Sequence, residues 1–352
     1  MAEDIGRLTR KIEEISEGRE ITLMHLCGTH EDTISKYNLR SLMPENVKLL
    51  SGPGCPVCII PDTDLQKVFH LIERKDVVLA TFGDMARVPF EDRSLFYYRS
   101  RGKDVRVVYS VFDAVEIAEK TDKDVVFFGI GFETTMPSIA VAIKDSPENF
   151  YVYSAHRYFI PAMEAIIKGE LRIDGFICPG HVSTIVGVKA YERFLKYGIP
   201  MAIAGFEPQD VLLATYMLVK AINEGKPWIY NEYTRAVRYE GNVNAQRVMS
   251  EVFEADDGEW RGLGIIPETG VRIRKEFEDK DAERVFEDVF EDFVPKEDKR
   301  KKHCRCGEVL KGLITPKDCR LFMTACTPRN PIGPCMVSFE GTCAIWAKYG
   351  VG

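Results

Sequence analysis

Apolar residues along the chain fall into two alternating patterns. Short, nearly continuous β-rich runs occupy residues 21–26, 47–50, 77–81, 105–109, 125–130, 150–154, 175–178 and 201–204. Most of the gaps hold apolar residues at three- and four-residue spacing, as at 65–73, 114–120, 161–168, 185–196 and 211–223. A short unbroken apolar run suits a strand buried on both faces, whereas the three-and-four spacing lays one apolar stripe along a helix. Their alternation predicts an α/β fold of parallel sheets covered by helices. Ile5, Leu8, Ile12 and Ile15 add an amphipathic helix at the start.

Eight strands can close into a (β/α)8 barrel or form two doubly wound domains. The pattern leaves both open. With two domains, the seam falls near residue 124, where the 120–123 turn precedes a very apolar strand. From about residue 232 the alternation fades. Residues 243–253 and 279–293 read as helical, with a Gly-rich, strand-like stretch between them. The last fifty residues are rich in Cys, Gly and Pro and show little periodicity. Such a segment builds no apolar core by itself, and a metal cluster would supply the missing cross-link. The expected division is an N-terminal helix at 1–19, α/β domains at 20–124 and 125–231, and a cluster domain at 232–352.

The chain has 352 residues, 45% of them hydrophobic, and a net charge of −7. That balance excludes an overall basic nucleic-acid footprint. One basic cluster, Lys299 to Lys302, reads as a solvated turn. No apolar stretch is long enough to cross a bilayer. The charged start, Met1 to Lys11, lacks the apolar run of a signal peptide, so a cytoplasmic protein is expected. In that compartment ten cysteines point to metal or redox chemistry before structural disulfides.

Four cysteines, Cys27, Cys55, Cys58 and Cys178, lie in the α/β part, and six lie between Cys304 and Cys343. Within the six, Cys304, Cys319, Cys326 and Cys343 give a C-x14-C-x6-C-x16-C spacing, suited to a [4Fe–4S] cluster. Structural zinc and disulfides are the rivals, and spacing does not say which four of the six are ligands. Cys306 and Cys335 complete the set.

Four motifs each follow a strand. In Gly52-Pro53-Gly54-Cys55-Pro56-Val57-Cys58, a Cys-x-x-Cys pair can cycle between dithiol and disulfide; half a zinc site is the alternative. In Cys27-Gly28-Thr29-His30-Glu31, a lone cysteine at a helix N-terminus can be a low-pKa thiolate ligand or nucleophile, against a buried inert residue. His25 reads as packing. In Gly129-Ile130-Gly131-Phe132-Glu133-Thr134-Thr135, either threonine could cap the next helix, and no dinucleotide or P-loop signature is present. In Cys178-Pro179-Gly180-His181-Val182-Ser183, His181 is a ligand or acid–base candidate and Ser183 suits an N-cap. Asp84 is a minor candidate at another strand end. Because parallel sheets bind ligands at the carboxyl ends of their strands, Cys27, Cys55, Cys58, Glu133, Thr134 and His181 are expected around one cleft.

These motifs, with the C-terminal cysteine spacing, together resemble the hydrogenase maturation protein HypD family, in that family's order and from Cys27 to Cys343. The resemblance implies two α/β domains plus a cluster domain, rather than a barrel. It implies Cys304, Cys319, Cys326 and Cys343 as [4Fe–4S] ligands. It further implies a complex with the small protein HypC, in which an iron atom receives cyanide through HypE, and carbon monoxide, before passing to the large subunit of a nickel–iron hydrogenase. Cys27 would hold that iron transiently, His30 or His181 would orient it, and the Cys55/Cys58 pair would pass electrons. A thiol–disulfide reductase of the ferredoxin-dependent type and a passive scaffold with a structural cluster are the other two expectations.

Overall fold

The structure is a computed structural model and describes residues 2–16 and 18–350. The strands are β1 (Ile21–His25), β2 (Val47–Ser51), β3 (Val78–Thr81), β4 (Val105–Val107), β5 (Val125–Gly129), β6 (Phe150–Ser154), β7 (Gly175–Pro179), β8 (Met201–Ala204), β9 (Ile229–Asn231), β10 (Phe253–Trp260) and β11 (Gly264–Ile273). They form two open parallel sheets, ordered β2-β1-β7-β8-β9 and β4-β3-β5-β6, and an antiparallel hairpin, β10-β11. The α/β class holds, and the closed barrel is excluded.

Successive side chains along the strands enter different cores. Val126 and Phe128 of β5, Phe176 and Cys178 of β7 and Met24 of β1 share one core between the sheets. Val125 and Phe127 face a second core under the helices of the four-stranded sheet. Leu23 and Ile177 face a third, against the helices Ala2–Ser16 and Pro208–Glu224. A strand buried on both faces has no polar side, which is why these runs are continuously apolar.

The order of strands departs from a sequential division. The chain lays down β1 and β2, builds the whole second sheet, then returns to add β7 beside β1. The expected seam at residue 124 therefore falls inside the four-stranded sheet, between β4 and β5, which flank β3. Strands apolar on both faces carry no mark of which neighbour they pair with.

Other expectations shift for local reasons. The helix expected at 185–196 is two pieces, Gly180–Val186 and the 3-10 turn Lys189–Tyr197. Between them Gly187 has φ +77°, and a Cβ there would lie 2.3 Å from the Gly241 backbone nitrogen. The 279–293 helix is broken into Ala282–Val285 and Glu287–Phe290. A terminal helix, Thr342–Tyr349, and the short edge strand β9 had no clear signal in the pattern. Among the described residues no helix is long and apolar enough to cross a membrane.

One buried carboxylate ties the C-terminal segment to the first sheet. Glu31 is fully buried. It accepts hydrogen bonds from Arg40 (2.6 and 2.8 Å), Ser35 (2.7 Å) and the Trp346 indole (2.9 Å), and pairs with His25 (2.8 Å). Burial pushes its pKa up, but Arg40 and the His25 and Arg40 hydrogen bonds outweigh burial and hold it well below the usual carboxylate range.

Glu31→Ala leaves the Arg40 charge and the Trp346 N–H without their partner, and should cost about 3–5 kcal/mol. Removing the neighbouring Asp32, whose partner Lys348 is 61% exposed, should cost less than about 1 kcal/mol. Urea unfolding of both variants measures the contrast. Since the folded pKa of Glu31 is depressed, its stabilisation is complete above about pH 4.3, the unfolded value, and is lost as pH falls toward the folded one.

Candidate functional site

The carboxyl ends of both sheets open on one cleft of about 510 Å³. Leu26 and Cys27 follow β1, and Gly54 and Pro56 follow β2. Phe82 to Asp84 follow β3, Val108 and Tyr109 follow β4, Ile130 to Phe132 with Thr134 and Thr135 follow β5, and His181 follows β7. Ser338, Phe339 and Glu340 of the C-terminal segment form a further wall, and Asp84 fixes it by accepting a 3.0 Å hydrogen bond from the Phe339 backbone N–H. Parallel strands bring these loops to one edge, as the motif positions predicted.

Cys27 lies in the lining of the cleft and is only 6% exposed. It occupies the N-cap position of helix Gly28–Lys36 with extended backbone. The expected low pKa does not follow. Burial, then the nearby Glu340 charge, push the thiol up to about 12, against the opposing pull of the Thr29 and His30 amides and the Thr29 hydroxyl. Desolvation exceeds the helix-end effect because the sulfur has almost no water.

Cys55 and Cys58 are joined by a disulfide. They bracket the start of the short helix Pro56–Ile59, and both are buried behind the cleft wall made by Gly54, Pro56 and Val57. Gly54 permits this loop to lie against the first motif. A Cβ there would sit 2.4 Å from the Cys27 Cα and backbone nitrogen. The disulfide loop and Cys27 are thus in backbone contact.

The other candidates divide. Thr134 and His181 line the cleft. His181 stacks on Phe206 at 4.0 Å, and burial lowers its pKa, favouring the neutral ring. His30 is not on the cleft. It is fully buried, with Nε2 against the Ala204 and Gly205 carbonyls at 3.2 and 3.0 Å, and desolvation lowers its pKa to about 3. Glu133 also turns inward and accepts the Phe159 N–H at 2.9 Å; burial raises its pKa to about 7. Thr135, not Thr134, holds the N-cap position before helix Met136–Asp145, without a side-chain cap bond. Ser183 is inside its helix and donates to the Pro179 carbonyl at 2.8 Å.

Sequence reasoning missed Glu340. It is half-buried, and desolvation followed by the Asp84 charge raises its pKa to about 7. Its only signal was an acidic residue inside the Cys- and Gly-rich tail.

The six C-terminal cysteines surround a separate cavity with Val309, Leu321, Phe322 and Met336. The Ile332 N–H donates to Cys326 Sγ at 3.3 Å. The Cys306 thiol and then burial push the Cys304 thiol upward. No group of three or more His, Cys, Asp or Glu among the described residues is arranged around a single ion. The turn Pro334–Met336 packs on the disulfide helix Pro56–Ile59, and Cys55, Cys58, Cys306 and Cys335 share one buried core.

Fold and site define an α/β protein with a thiol in a cleft between two parallel sheets and a disulfide buried behind the cleft wall, adjoining a six-cysteine pocket. The family model HypD, described as "Hydrogenase formation hypA family", matches residues 3–350. A putative hydrogenase expression/formation protein of Methanocaldococcus jannaschii is 43% identical over 351 residues, covering 98% of this chain and 95% of the relative. The hydrogenase maturation factor HypD of Azotobacter vinelandii is 44% identical, covering 96% and 91%. That of Escherichia coli is 39% identical, covering 94% and 90%. The chain belongs to the HypD family of hydrogenase maturation factors.

Alkylation with mass mapping checks the thiol states. At pH 8 the metal-free protein should label Cys27 at least about fiftyfold more slowly than an exposed cysteine, the lower thiolate fraction being partly offset by greater nucleophilicity. The rate should still be rising with pH at about 10, where an exposed cysteine has levelled off. Cys55 and Cys58 should label only after reduction. Rapid labelling of Cys27, or of the pair without reductant, would contradict this geometry.

Proposed function

We propose that this protein is a redox-active scaffold on which, in complex with HypC, an iron atom acquires two cyanides and a carbon monoxide before transfer to the hydrogenase large subunit. The observation that carries the reading is the backbone contact between the Cys27 and Cys55–Cys58 loops, with the six-cysteine pocket packed directly behind the disulfide. The incoming iron is cargo, and the open cleft leaves room for a partner's side chain and for cyanide delivered through HypE.

Cys27 is the soft ligand on this side of the cleft. Its thiol is protonated at rest, so iron binding must displace that proton, as metals do with coordinating thiols. Glu340, poised near neutrality beside Cys27, is placed to accept it. Neutral His181 lines the same cleft and can donate or accept a hydrogen bond at the iron's ligands. His30 and Glu133 hold backbone behind the loops. On this reading they are positioning residues, not ligands.

The pocket fits a thiolate-held cluster. Four cysteines around an iron–sulfur core need not converge on one ion. Cys304, Cys319, Cys326 and Cys343 are the proposed ligands. A [4Fe–4S] cluster held there supplies one-electron storage beside the disulfide. A disulfide exchanger acting on other proteins is the weaker reading, because Cys55 and Cys58 are buried.

Two measurements test this. Cys304→Ala, Cys319→Ala, Cys326→Ala and Cys343→Ala should each abolish cluster iron and sulfide, while Cys306→Ala and Cys335→Ala retain them. Loss from Cys306→Ala with retention in Cys304→Ala would refute that ligand set. Cys27→Ala should keep the cluster but lose the infrared cyanide and carbon monoxide bands of the complex with HypC. Bands at full strength would place the iron on another residue.

A further inference from the structure

The chain is acidic overall, but the segment around the cysteine pocket is not. Residues 299–329 carry nine Lys and Arg against two acidic residues. Lys299, Lys302, Lys311, Lys317, Arg320 and Arg329 are exposed. Chain continuity holds these cations near the sulfurs: Lys302 is two residues from Cys304, Arg320 is next to Cys319, and Arg329 is three from Cys326.

A groove of about 310 Å³ opens within this segment. Arg261, Lys301, Arg305 and Lys311 line it against only Asp62 and Glu308, and Cys304 and Cys306 also line it. Arg261 comes from the turn between β10 and β11. Its backbone N–H donates to the Ile59 carbonyl at 2.8 Å and its Nε to the Ile60 carbonyl at 3.0 Å, so the groove is anchored to the disulfide helix. Met323 and Leu313, 50% and 36% exposed, add apolar surface to the same segment.

We propose that this basic rim is the docking surface for a small acidic one-electron carrier protein, which delivers electrons to the cluster at the Cys304–Cys306 edge. The inference rests on the cluster reading above. A local basic surface on an acidic chain attracts a compact partner with one acidic patch, while the rest of the molecule repels an extended polyanion such as nucleic acid. Each docking oxidises the carrier by one electron and reduces the cluster by one. Two such deliveries, with two protons from solvent, cleave the Cys55–Cys58 bond to two thiols.

The test uses the full chain purified anaerobically, with its iron and sulfide measured. Plant-type [2Fe–2S] ferredoxin and flavodoxin are titrated by calorimetry at low and at raised salt. At least one should bind, more weakly as salt rises, and the Lys302→Glu/Arg320→Glu double variant should lose about tenfold or more in affinity. Lys302→Gln/Arg320→Gln should lose less. The dithionite-reduced cluster's electron paramagnetic resonance spectrum should be the same in all three, because a small reductant bypasses the surface. A cluster-containing protein that binds neither carrier, binds with no effect of charge reversal, or binds a single-stranded oligonucleotide more tightly overturns the proposal alone. A protein without cluster iron and sulfide overturns the reading on which it rests, and the proposal with it.

Discussion

Parallel strand pairing is the constraint on which the rest of this molecule depends. A parallel sheet needs a crossover after every strand, and those crossovers cover both faces with helices. Only the strand ends remain for chemistry. Here two such sheets, β2-β1-β7-β8-β9 and β4-β3-β5-β6, share a continuous core and direct their carboxyl ends at one cleft. Loops separated by more than 150 residues in the chain, those of Cys27 and His181, therefore line the same space.

The same arrangement sets the state of the thiols. Packing the Gly54 loop onto the Cys27 backbone and closing the cleft with Ser338 to Glu340 removes water from the sulfur. Burial then overrides the helix N-terminus and keeps the thiol protonated. A protonated, shielded thiol resists stray oxidation, and a metal ion can displace its proton. The site is thus suited to holding a soft metal more than to rapid nucleophilic attack.

Polar contacts add to a small core around Cys326, Ile332 and Met336 in holding the cysteine-rich tail. Trp346 donates to Glu31, Asp84 accepts from Phe339, and Arg261 bridges the hairpin to the disulfide helix. Each contact joins the tail or the hairpin to a segment that follows β1, β2 or β3. A change at the cysteine pocket is therefore mechanically close to the disulfide and to Cys27.

The sequence by itself determined the α/β class, all eight strands of its alternating part and the gathering of Cys27, Thr134 and His181 at one edge. Short apolar runs and the motifs that follow them are local signals, and a parallel sheet turns them into a shared edge with no further information. Only the tertiary structure decided the pairing of β7 with β1, which moved the expected seam at residue 124 into the interior of a sheet. It also turned His30 and Glu133 away from the cleft, brought Glu340 into it and made the Cys27 thiol a weak acid. The physical reason is common to all of these. Strands apolar on both faces do not encode their neighbours, and neither the direction nor the solvation of a side chain in a loop is set until distant segments pack around it.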